Sequence, residues 1–239
     1  MKTSNFPVKK SIALLLDPDK AKGDSLTRIL ENANRCNTDY IFAGGSLTFN
    51  SIDNLINEIR KNSSIPVVLF PGNLLQLTLN ADIILLLSLI SGRNSELLIG
   101  NHVIAAPFLK DVKEKLISVG YILIGNGHKT SVEYISQTES IPSDKPEIAV
   151  ATALAGEMLG LKMIYLEAGS GASRHVPVNL IKSVRQNITI PLAVGGGISD
   201  KEQVEEVFKA GADLIVLGNS VEKNPELLIE ACRIRDKFP

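Results

Sequence analysis

Eight short runs of continuously apolar, β-rich residues recur along the chain: "SIALLLD" (Ser11–Asp17), "YIFAGG" (Tyr40–Gly45), "IPVVLFPG" (Ile65–Gly72), "DIILLLSLI" (Asp82–Ile90), "YILIG" (Tyr121–Gly125), "KMIYLEAG" (Lys162–Gly169), "IPLAVGGG" (Ile190–Gly197) and "DLIVLGN" (Asp213–Asn219). The runs do not alternate apolar with polar, as expected of parallel strands buried on both faces. Helix-like patterns separate most of them, among them "DSLTRILENANRC", "SIDNLINEIRKN", a long region after the fourth run to about Ser118, and "EIAVATALAGEMLG". Eight strands with intervening helices predict an α/β fold of the (β/α)8 barrel type, with residues 1–239 as one domain. One unit is short. Only "NLLQLTLNA" separates the third strand from the fourth, too few residues for a crossover helix. That helix is expected to be reduced to a turn or extended segment. A long polar connection, "NGHKTSVEYISQTESIPSDKP", follows the fifth strand, and loops of that length usually serve function or move.

Composition narrows the class. The chain has 239 residues, 44% of them apolar, and a formal net charge of -1, enough for one large core and without the basic tract that nucleic acid demands. The longest apolar stretch, Ile83–Ile90, is far short of the roughly 20 residues of a membrane span. "MKTSNFPVKK" lacks the apolar core of a signal peptide, so a soluble, cytoplasmic protein is expected. Cys36 and Cys232, far apart in sequence, are then read as reduced thiols.

In a barrel of this type the strand C-termini and the loops after them build the active site. Three consecutive strands finish in glycine: "YLEAGSGA", "AVGGGIS" and "VLGNSVE". Glycine lets an anion approach bare N–H groups, and the last motif also starts a helix. Each motif alone fits a tight turn equally well. All three on the last strands point to a phosphate, without naming a reaction.

Within the first of these motifs stands Glu167. A carboxylate beside a phosphate site repels the ligand unless it has a task, and the economical task is taking a proton from a substrate hydroxyl. A rim ion pair is its alternative. Tyr165, two residues earlier on the same face, either orients substrate or packs in the core. On the other side, "LLLDPDK" ends the first strand with Asp17, read either as an N-cap or as a hard oxygen ligand for Mg2+. Ser46 in "AGGSLT" is a second such ligand or a helix cap. Arg93 and Lys129 are rim ion pairs or diphosphate contacts. His102, His128 and His175 show no metal-ligand spacing. The charges of "SVEYIS" and of "NPELLIEACRIRDKF" are read as solvated faces.

Taken together, "LLLDPDK", "AGGSLT", "VLFPGN", "LLSLISGRN", "IPSDKPEIAVATALAGEMLG", "YLEAGSGA", "AVGGGI" and "VLGNSVE" resemble the geranylgeranylglyceryl phosphate synthase family over nearly the whole chain. The resemblance is closest to the second of its two groups, with archaeal and Bacteroidetes-type members. It implies a modified TIM barrel whose third helix is replaced by a short segment. It also implies a prenyltransferase of ether-lipid biosynthesis, moving a geranylgeranyl group from its diphosphate to the 3-hydroxyl of sn-glycerol 1-phosphate. By motif, Asp17 and Ser46 would bind Mg2+ and Glu167 would be the base, with Tyr165 beside it. Tyr165, Leu166, Glu167, Ala168, Gly169, Ser170, Gly171, Gly196, Gly197, Gly218 and Asn219 would hold glycerol phosphate. A homo-oligomer, of hexamer size in this group, is the expected assembly. One departure is Leu15, where the first group carries a basic residue, so the phosphate must rely more on backbone amides. Another phosphate-handling barrel, such as a sugar-phosphate isomerase, would share the glycine sites, and a catalytically silent phosphoglycerol-binding barrel stays open. The isomerase would need neither an apolar groove for a tail of about 20 carbons nor the Asp17–Ser46 pair, and an intact Glu167 with Asp17 argues against the silent barrel.

Overall fold

The computed structural model describes Phe6, Pro7, residues 9–125, Gly127 and residues 129–238. Its strands are β1 (Ser11–Leu16), β2 (Tyr40–Ala43), β3 (Val67–Leu69), β4 (Ile83–Leu89), β5 (Leu116–Leu123), β6 (Met163–Glu167), β7 (Leu192–Gly195) and β8 (Leu214–Leu217). They pair in parallel in chain order, and β8 returns to β1 with Ala13 opposite Val216, closing the barrel.

Strand parity divides the apolar residues into two cores. Ile12, Leu14 and Leu16 of β1, and Ile164 and Leu166 of β6, face outward against the helices. Ala13, Phe42, Val68, Leu85, Tyr121, Met163 and Tyr165 face inward and fill the barrel. Helices α1 (Gly23–Arg35) and α2 (Ile52–Asn62) cover the outer face because their apolar residues recur at helical spacing. Leu26, Ile29, Leu30 and Ala33 are buried in α1, and Ile52, Leu55, Ile56 and Ile59 in α2. Ser51 starts α2 by accepting the Asn54 N–H.

The shortened third unit is present as expected. A single 3-10 turn, Leu74–Gln76, stands where the crossover helix would lie. Past β4, a π-helical turn (Glu96–Gly100) runs into α3 (Asn101–Leu109) and then a 3-10 segment to Lys115. The helical region therefore ends before Ser118, and β5 starts at Leu116 rather than Tyr121. The strand-five connection is not wholly irregular. Its "SVEYIS" forms α4 (Ser131–Ser136), started by a capping box between Thr130 and Glu133. Glu133 is buried, so its charge is not on a solvated face. The remaining helices are α5 (Pro146–Met158), α6 (Val178–Asn187), α7 (Lys201–Ala210), α8 (Asn219–Lys223) and α9 (Glu226–Arg235). Among the described residues no helix is long and apolar enough to cross a membrane.

Arg235 corrects the reading of the last helix. It is buried, donates to Asp39 at 2.6 Å and to Asn37 O at 2.9 Å, and contacts Asp236 at 2.7 Å. Asp39 in turn accepts the Ile12 N–H at 2.9 Å, so this cluster ties α9 to the start of β1. Replacing Arg235 by Met leaves the half-buried Asp39 with the largely exposed Lys9 ammonium, 3.7 Å away, in place of the buried guanidinium. Chemical denaturation is expected to show a loss of about 3 kcal/mol.

Candidate active site

Glu167 is the last residue of β6 and shares inward parity with Met163 and Tyr165. The aromatic rings below it form a dry floor. Tyr165 stacks on Phe70 with centroids 5.5 Å apart and lies 5.1 Å from Tyr121. Burial pushes the Glu167 carboxyl up to about 7, against the lowering effect of hydrogen bonds from the Gly169 amide, Tyr165 and Tyr121. The Gly169 N–H donates to Oε1 at 2.7 Å. Burial first, and then the Glu167 charge, raise both tyrosine hydroxyls well above the ordinary value. They therefore stay protonated donors. The carboxyl titrates near neutrality, where a general base works best.

This crowded arrangement depends on two glycines of the β7 end. A Cβ on Gly195 would stand 2.1 Å from the Tyr165 hydroxyl oxygen, and one on Gly196 would stand 2.3 Å from Glu167 Oε1. Gly196 and Gly197 also have φ of +81° and +69°.

Above the carboxylate opens a cavity of about 770 Å3 at the strand C-termini. Tyr165, Glu167, Ser170, Gly171, Gly196, Gly197, Gly218 and Asn219 line it on one side, and Asp17 and Ser46 on another. The N–H groups of Gly171 and Gly197 have no acceptor among the described residues. The first turn of α8 adds N–H groups that no helix partner satisfies. Three predicted contacts fall outside this wall. Leu166 and Ala168 face the helical layer. Gly169 uses its N–H to hold Glu167. They support the site from behind rather than line it.

The loops after β1, β6 and β8 are joined by hydrogen bonds. Lys20 Nζ donates to Asn219 Oδ1 at 2.8 Å, and Asn219 Nδ2 donates to Ser170 Oγ at 3.1 Å. Lys20 also lies 3.8 Å from the Glu222 carboxylate. Its ammonium stands at the rim of the cavity. The two aspartates of "DPD" separate in role. Asp19 accepts a side-chain hydrogen bond from Asn50 and backbone N–H groups of Phe49 and Asn50, which hold it below its ordinary value and fasten the β2–α2 loop. Asp17 accepts the Asp19 N–H at 2.9 Å with one oxygen, and its other oxygen lies against Gly45, next to Ser46.

A second, mostly apolar cavity of about 250 Å3 adjoins the mouth and shares Gly45, Ser46, Phe70, Tyr121, Val132 and Ile135 with it. Leu74 and Leu77 of the short third unit, Leu85 and Leu87 of β4, and His102 and Ala105 of α3 line it. A helix between β3 and β4 would close this side. His102 is half-buried, pairs with Ser88 Oγ at 3.2 Å, and burial lowers its basicity. His175 sits on a loop with Nδ1 2.7 Å from Val176 O, and His128 lies outside the described residues. Arg93 folds back to donate to Gly92 O at 2.7 Å and does not line the mouth, whereas Lys129 does. Among the described residues no group of three or more His, Cys, Asp or Glu side chains is placed to hold a metal.

The model of the PcrB family matches residues 8–234. The chain belongs to the PcrB family. A protein of Spirosoma linguale named geranylgeranylglyceryl phosphate synthase is 48% identical over 96% of this chain and 93% of that relative. One of the same name from Thermococcus gammatolerans is 40% identical over 88% of this chain and 83% of the relative. In structure, the chain superposes with a TM-score of 0.91 on (S)-3-O-geranylgeranylglyceryl phosphate synthase from Thermoplasma acidophilum in complex with sn-glycerol-1-phosphate. That protein is 31% identical, and the match covers 100% of both chains. That relative therefore shares the barrel fold over the whole chain.

Proposed function

We propose that this PcrB family member transfers a geranylgeranyl group from its diphosphate to the 3-hydroxyl of sn-glycerol 1-phosphate. The observation that carries this reading is that a buried carboxylate, a glycine-lined anion wall and an apolar groove meet at one mouth. Glycerol phosphate is held by the open amides of Gly171 and Gly197 and the start of α8, with Lys20 and Asn219 at the rim. Its free hydroxyl is directed at Glu167, which takes the proton as the new C–O bond forms. Tyr165 and Tyr121 keep that carboxylate in place by donating to it. The apolar tail lies along β4 and α3, where the missing helix leaves room.

Asp17 and Ser46 fit Mg2+ as a carboxylate and a hydroxyl side by side, too few for a protein-only cage and suited to an ion that shares substrate phosphate oxygens. Mg2+ held there would supply positive charge to the departing diphosphate. Asp17→Asn is expected to raise the Mg2+ concentration for half-maximal activity by about tenfold or more, and chelation to abolish product formation. An unchanged Mg2+ titration would remove Asp17 as a ligand.

The reading is tested by incubating the protein with Mg2+, radiolabelled sn-glycerol 1-phosphate and geranylgeranyl diphosphate. With the label on the glycerol carbons, the expected result is extraction into organic solvent, where the label stays on the ether lipid after phosphatase removes the phosphate. The groove has its own test. Ala105→Phe should suppress use of the 20-carbon donor while a five-carbon donor still reacts; equal loss for both would place the tail elsewhere. Ile99 of the π-helical turn and Val103, Ile104 and Phe108 of α3 form an exposed apolar face, which supports a homo-oligomer. Light scattering should then give a multiple of 25.8 kDa, six-fold for the expected hexamer.

A further inference from the structure

The fold brings together two cysteines that are far apart in sequence. Cys36 caps the C-terminus of α1, on the barrel face opposite the mouth, and Cys232 lies on α9. Both are free thiols. Thr38 Oγ1 lies 3.3 Å from Cys36 Sγ and 3.7 Å from Cys232 Sγ, and Cys36 Sγ lies 3.9 Å from Leu228 O, one turn before Cys232 on α9. Their exposures differ. Cys36 is partly open to solvent, whereas Cys232 is buried. Behind them the Arg235 guanidinium, itself buried and paired with Asp39, adds positive charge.

We propose that Cys36 and Cys232 form a peroxide-reactive dithiol, with Cys36 as the attacking thiolate and Cys232 as the resolving thiol. Reactive cysteines are partly exposed and lie near a cation; Cys36 is partly exposed, and the Arg235 guanidinium, though paired with Asp39 and Asp236, is close enough to favour its thiolate. Hydrogen bonds from Cys232 and Thr38, with the Arg235 charge, hold its thiol below the ordinary value. The hydrogen bond to Cys36 and burial hold that of Cys232 above it. The first step cleaves the O–O bond of a hydroperoxide. Cys36 sulfur takes the terminal oxygen and becomes a sulfenic acid, while the other oxygen leaves as an alcohol or water. In the second, Cys232 sulfur bonds to Cys36 sulfur and displaces hydroxide, which takes the Cys232 proton and leaves as water. The two thiols lose two electrons in all, and the peroxide gains them. Because Cys232 is buried, the sulfenic acid is resolved within one chain rather than between chains.

The cross-link would join the end of α1 to α9 and constrain most of the unfolded chain. It changes no group at the mouth, so the inference stands or falls apart from the proposed transfer reaction.

The full chain is treated at pH 7 with hydrogen peroxide, and its peptides are mapped by mass spectrometry. The expected product is one intramolecular disulfide between the Cys36 and Cys232 peptides, reversed by dithiothreitol. A thermal midpoint about 5–10 °C higher should accompany it. Cys36 should be oxidised faster than free glutathione at the same pH, because more of it is thiolate. Cys232→Ser should stop at a Cys36 sulfenic acid, trapped by dimedone, and Cys36→Ser should leave Cys232 unreacted. The proposal is overturned if the wild type gives no Cys36–Cys232 peptide, if its cross-links join separate chains, or if Cys36 is oxidised no faster than free glutathione.

Discussion

Glu167→Gln is expected to lower turnover by about a thousandfold or more, with sn-glycerol 1-phosphate binding changed by less than about threefold. The amide keeps the shape and the acceptor oxygen for Gly169, but it cannot take a proton. In the wild type, kcat/KM should rise with pH through about 7, since the base is competent only when ionised. The same substitution separates activity from stability. Because burial raises the folded value to about 7 from an ordinary 4.5, the folded protein binds more protons than the unfolded chain between those pH values. Stability therefore falls as pH rises through that window, by on the order of 3 kcal/mol in full, and the whole penalty is present above about pH 7. Glu167→Gln removes the penalty. The variant should resist urea better than the wild type at pH 8, with a much smaller gap at pH 5. A dead enzyme that is also less stable at pH 8 would mean the carboxylate is held by charge partners rather than strained by burial.

Gly196→Ala should come next in effect, with activity down about a hundredfold and stability lower by about 1–3 kcal/mol. The new Cβ would meet Glu167 Oε1 at 2.3 Å and the Gly169 N at 2.8 Å, so the carboxylate and the amide that holds it must both move. Its φ of +81° adds backbone strain. Gly160→Ala is the control. It shares a positive φ of +86° but has nothing within 4 Å of the new Cβ, so it should lose stability alone and keep full activity. Equal activity of the two variants would show that the close approach at Gly196 does not position the base.

The barrel was legible because parallel strands buried on both faces leave continuous apolar runs, and its short third unit because the nine residues of "NLLQLTLNA" are too few for a crossover helix. The early start of β5 was not. Val112, Leu116, Ile117 and Val119 recur at spacings that fit either a helix or a short strand. Parity along β6 put Tyr165 and Glu167 on one face. It could not show that Tyr121 on β5 stands at the same height, because levels across strands follow from the stagger of the closed sheet. Leu166 and Ala168 were read as part of a contiguous motif, although alternation turns them to the outer layer. Lys20 stood in the "DPDK" motif, but only the meeting of the loops after β1 and β8 reveals its bond to Asn219. Gly195 was likewise visible as one of three glycines in a row. Its reason, the Tyr165 hydroxyl, lies on the neighbouring strand.

The most direct measurement is a crystal structure of this chain with sn-glycerol 1-phosphate. The phosphate should lie against the N–H groups of Gly171, Gly197 and the start of α8, with a free hydroxyl of the glycerol within hydrogen-bond distance of the Glu167 carboxylate. A phosphate bound away from the ends of β6, β7 and β8, or a glycerol hydroxyl that points away from Glu167, would contradict it.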